Sequence, residues 1–62
     1  MKKEFDIMVL DILVADYGVE RPLADYVVSR AEAQIENLNI DGFTPTEAAE
    51  EIYTSKYWEE YE

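Results

Sequence analysis

Residues 2–17 read KKEFDIMVLDILVADY, and the way this stretch is wound decides the fold class. Wound as an α-helix at about 100° per residue, it puts Phe5, Val9 and Ile12 on one side and Ile7, Leu10 and Val14 on the opposite one. Asp6, Asp11 and Asp16 recur every five residues, so they draw no continuous polar stripe. Extended as a strand, FDIMVLDILV has the Ile and Val content but alternates poorly with polar residues, as a half-buried strand should. A helix is therefore the expectation, with an N-terminal strand in an α+β fold as the alternative. A helix that is apolar all round must be covered on more than one face. In so short a chain this predicts a homodimer formed through the N-terminal helix, by way of Phe5, Val9, Ile12 and Leu13.

Downstream, Gly18 stands where a helix ends in a left-handed residue, and Pro22 suits the first turn of the next helix because its φ is already helical. In PLADYVVSRAEAQIENL, Leu23, Val27, Ala31, Ile35 and Leu38 recur at intervals of three and four, with Tyr26 alongside. That spacing predicts one amphipathic helix. Its opposite side carries Asp25, Glu32 and Glu36 within about 40° of one another, a single acidic stripe. The turn-forming residues of NLNIDGF end it, with the bend at Asp41-Gly42.

GFTPTEAAEEIY, residues 42–53, then spells out a helix start. Thr44 serves as N-cap, Pro45 as the first helical residue and Glu47 as the reciprocal member of a capping box, with Phe43 placed to close over Ala48. The same region skirts a calcium loop: Asn37, Asn39, Asp41 and Gly42 imitate its first, third, fifth and sixth positions. The twelfth position needs a bidentate carboxylate and is Ala48, with Glu47 one residue early, so the cap is preferred and no metal ligand is assigned.

The expected architecture is all-α: three helices, over roughly residues 3–17, 21–38 and 45–57, in one domain spanning 1–62, with no repeat or linker. In the last helix Ala48, Ala49, Ile52, Tyr53 and Tyr57 should line one side, while Trp58 and Tyr61 emerge among carboxylates.

Composition narrows function by exclusion. The 62 residues contain no cysteine and no histidine, which removes disulfide staples and the commonest zinc ligand. Fifteen acids against five bases give a formal net charge of −10, so the surface repels nucleic acid and anionic lipid. With eight aromatics among the 62, it does not resemble a disordered acidic tail. The absence of a leader or an apolar span points to a soluble, cytoplasmic protein. A catalytic carboxylate pair needs one member desolvated, and the acids fall on outer faces except Asp6, Asp11 and Asp16, which lack any partner chemistry nearby. Catalytic and cofactor-binding residues are accordingly expected to be none, and the chain is expected not to be an enzyme.

From Thr44 onward the chain carries six acids and one base. Aromatics in an acidic field suit the capture of a basic protein, since Trp and Tyr supply interface energy while charge sets approach and selectivity. The expected contact set is Asp25, Glu32, Glu36, Glu47, Glu50, Glu51, Trp58, Glu59, Glu60, Tyr61 and Glu62. The competing role for Trp58 is packing in a thin core or a dimer seam, after a helix that stops near Thr54-Ser55. Three functions are compatible with these features. The first is an acidic protein-binding module that blocks a basic partner. The second is a nucleic-acid mimic whose carboxylates imitate phosphates, similar in composition, though in no shared motif, to the anti-restriction and anti-CRISPR inhibitors of phages. The third is a self-assembling structural or scaffold protein.

Overall fold

The computed structural model describes residues 4–55. Among them the chain is all-α, in four helices: α1 Glu4–Tyr17, α2 Arg21–Arg30, α3 Glu32–Ile40 and α4 Pro45–Tyr53. The N-terminal stretch is a helix and not a strand.

α1 is the hub, touching α2, α3 and α4, with α4 its most extensive neighbour. Val9, Leu10 and Leu13 are buried on it, and Phe5, Ile12, Val14 and Tyr17 pack against the core from either side. By helical geometry these residues cover about 200° of its circumference, which explains why the sequence shows no apolar stripe. A helix with so broad a buried face does not need a second chain when three other helical segments wrap it. The Cα radius of gyration, 10.2 Å, matches the about 10 Å expected of a compact chain of this size.

The wrapping depends on a bend absent from the sequence expectation. The single helix anticipated over residues 21–38 is two, divided at Ala31, whose φ of −99° and ψ of 17° leave the helical region. Two backbone bonds flank the break: Ala31 N–H donates to Val27 O and Ile35 N–H donates to Ala31 O. Neither glycine nor proline occurs between residues 23 and 41. What the bend achieves is packing. Val27 and Val28 before it, Ala31 at it and Ile35 after it are all enclosed in the one core around α1. Alanines at 24, 31, 48 and 49 are buried too, and their small side chains let the helix axes approach.

The remaining connections follow local chemistry. Gly18 has φ +69° and Gly42 φ +95°, the left-handed conformations that glycine adopts without steric cost. After α3, Gly42 N–H donates to Asn39 O and Phe43 N–H to Leu38 O, the paired bonds of a Schellman ending. Asn37 and Asn39 are thereby helical, and their backbone carbonyls accept from Asp41 and Gly42. Thr44 and Glu47 form the expected capping box: Glu47 N–H donates to Thr44 Oγ1 at 3.2 Å, and Thr44 N–H donates to Glu47 Oε1 at 3.0 Å.

α4 ends at Tyr53, short of the expected residue 57. The reason is in the hydroxyls: Thr54 Oγ1 lies 3.1 Å from Glu50 O and 3.2 Å from Glu51 O, and Ser55 Oγ donates to Ile52 O at 2.6 Å. Side chains that satisfy the last-turn carbonyls themselves compete with continued helix.

Candidate functional site

Six of the carboxylates expected to meet a partner fall within the described residues, and all six are exposed: Asp25 on α2, Glu32 and Glu36 on α3, and Glu47, Glu50 and Glu51 on α4. Trp58, Glu59, Glu60, Tyr61 and Glu62 lie outside the described residues, as does Tyr57. The bend at Ala31 separates Asp25 from Glu32 and Glu36, and α4 carries the others on its own outer side. Glu47 already has a local task, since its carboxylate closes the cap of α4.

The four residues expected at a dimer seam all meet the chain's own core. Val9 and Leu13 are fully buried inside the protomer, and Phe5 and Ile12 are half-buried against the same core. They pack on α2, α3 and α4 because α1 is central, which sequence periodicity could not register.

Positive charge within the described residues is confined to Arg21 and Arg30, and each is engaged by its own chain. Arg21 Nη2 donates to Asp11 Oδ1 at 3.3 Å, with both side chains more than half exposed. Arg30 Nη1 donates to Tyr26 Oη at 2.9 Å, and its guanidinium carbon sits 5.7 Å from the centre of that ring. The outward sides of α2, α3 and α4 carry the exposed carboxylates of Asp25, Glu32, Glu36, Glu47, Glu50 and Glu51.

Of the three aspartates set apart in α1, Asp11 and Asp16 are exposed, while Asp6 is 2% exposed at the centre of the helix's buried arc. Asp6 belongs to the first turn, where the helix dipole favours a negative side chain. Among the described residues no pocket opens beside it, and no group of three acidic, histidine or cysteine side chains is placed to hold a metal ion. Nor is any helix among the described residues long and apolar enough to cross a membrane.

Two features escaped the sequence pattern. Tyr17 and Tyr53 stack where the C-terminal ends of α1 and α4 meet, ring centres 4.5 Å apart and planes tilted by 33°. Tyr53 nevertheless keeps 43% of its surface exposed. Ile7 and Met8, on the outer side of α1, are 47% and 40% exposed. Comparison with protein-family models, with curated proteins and with solved structures returns no match.

Proposed function

We propose that this chain is a non-enzymatic acidic protein-binding module that acts stoichiometrically on a basic protein and blocks it sterically or electrostatically. One observation carries the reading: on three helices the carboxylates face outward, while the two described arginines are turned to partners within the chain. A surface of this kind steers a cationic partner by long-range attraction and rejects anionic ones, without requiring a pocket or a bound ion. The core closes within one chain around α1, so a dimer is not needed to present that surface.

The test is a pull-down from native cytosol with the immobilised chain, followed by a salt-gradient elution and a titration of the recovered protein. A basic protein held near one-to-one and released as salt rises is expected. Recovery of acidic or neutral proteins alone, with no salt dependence, would falsify the reading. If the recovered protein binds DNA or RNA and the chain competes for that site, the blocker is specifically a nucleic-acid mimic.

A further inference from the structure

Resting on the basic-partner reading, the geometry points to the outward face of α1, at Glu4, Ile7, Met8 and Asp11, as the place where the partner docks. Charge alone gives approach and selectivity; the energy of an interface comes from a few well-covered apolar or aromatic anchors. Among the described residues the exposed large apolar side chains are Ile7, Met8, Ile40 and Tyr53. Ile40 is the last residue of α3, at the turn, and Tyr53 is stacked on Tyr17. Ile7 and Met8 alone are neighbours on one helix.

Their setting is acidic at both ends. Glu4 lies three residues before Ile7 and four before Met8, and Asp11 lies four and three after them. Such spacings put β-carbons about 5–6 Å apart on a helix surface, so the apolar pair sits between two carboxylates one turn above and one turn below. All four residues lie on the arc of α1 turned away from the other helices, within about 100° by helical geometry. The complement is a helix or extended segment with a central apolar residue flanked by Lys or Arg. Asp11 shares its carboxylate with Arg21, but both side chains are more than half exposed. A pair in that setting is weak enough to rearrange.

A second copy of the chain fits poorly. A two-fold contact centred on Ile7 and Met8 sets Glu4 against Asp11 of the other copy if the helices run antiparallel, or like residue against like if they run parallel. Either arrangement opposes acid to acid.

The isotope-labelled full chain can be titrated with a synthetic Lys/Leu amphipathic peptide and, separately, with poly-lysine, following the backbone amide resonances. The peptide should shift Ile7, Met8 and Asp11 most, whereas poly-lysine should not single them out. Ile7→Ser combined with Met8→Ser should weaken peptide binding about tenfold or more, as loss of a small anchor does, with the helical circular dichroism unchanged. Glu32→Gln with Glu36→Gln should weaken it less than about threefold, as rim charges do. Shifts centred on α3 or α4, or the reverse order of the two double variants, would overturn the assignment of this face while leaving the basic-partner reading standing. Failure of both probes to bind at low salt would remove both. Sedimentation should return a monomer; a dimer abolished by Met8→Glu would give the face to a second copy and end the proposal.

Discussion

The break at Ala31 and the break at residues 41–44 both redirect the chain, yet they are built by different means. At 41–44 every requirement is met by neighbours in sequence: Gly42 supplies the positive φ, Phe43 and Gly42 return their N–H groups to α3, and Thr44 with Glu47 caps α4. At Ala31 the local sequence provides neither a glycine or proline breaker nor a side-chain cap. There the chain bends at a residue enclosed, with Val27, Val28 and Ile35, in the core around α1. A turn made by local chemistry can be removed locally, whereas one made by packing gives way only when the core does.

Substitutions at the two breaks should therefore separate in size. Ile35→Ala removes the one buried side chain of α3. It should cost about 2–5 kcal/mol in urea unfolding followed by circular dichroism. A loss below about 1 kcal/mol would show that α3 is not held onto α1, and the packing account of the bend would fail. Ala31→Leu comes next, at about 1–3 kcal/mol, because the site is enclosed and has no room for a larger side chain. Increased stability there would mean that the bend is not enclosed in solution.

At the other break, Thr44→Ala should cost about 1 kcal/mol, with a fall in melting temperature of about 4–8 °C, and Thr44→Ser should restore most of it. An unchanged melting curve for the alanine variant would count against the capping box. Smallest is Arg21→Ala, which loosens the exposed contact with Asp11. Its effect should stay within about 1 kcal/mol and vanish at high salt. A larger, salt-resistant loss would give Arg21 a structural role that its exposure does not suggest.

Much of the fold is written in short-range signals. Gly18, Pro22, Gly42, Thr44, Pro45 and Glu47 each act through backbone groups within a few residues, and each sits where its chemistry requires. The inner residues of the second helical stretch, Val27, Ala31 and Ile35, were also legible because their spacing of four keeps them on one side of it. α1 was harder. Its periodicity is blurred since three neighbours bury it over more than half a turn, so Val9 and Leu13 read as surplus apolar surface awaiting a second chain when they are the centre of the first. For the same reason Ile7 and Met8 could not be told from core residues: all four are large, apolar and in one helix, and only exposure distinguishes them. The acidic residues of α2, α3 and α4 were easier to place outside, since a carboxylate stays in water unless something neutralises it.

The sequence by itself determined that the chain is helical, where most helices begin and end, and that its outer faces are rich in carboxylates. Those are consequences of backbone geometry, hydrogen bonding within a few residues and the cost of dehydrating charge. Only the tertiary structure decided that α1 stands in the middle, that the chain bends at Ala31, and which apolar side chains of α1 remain outside. Burial is a property of what surrounds a side chain, and here the surroundings come from segments ten to forty residues away.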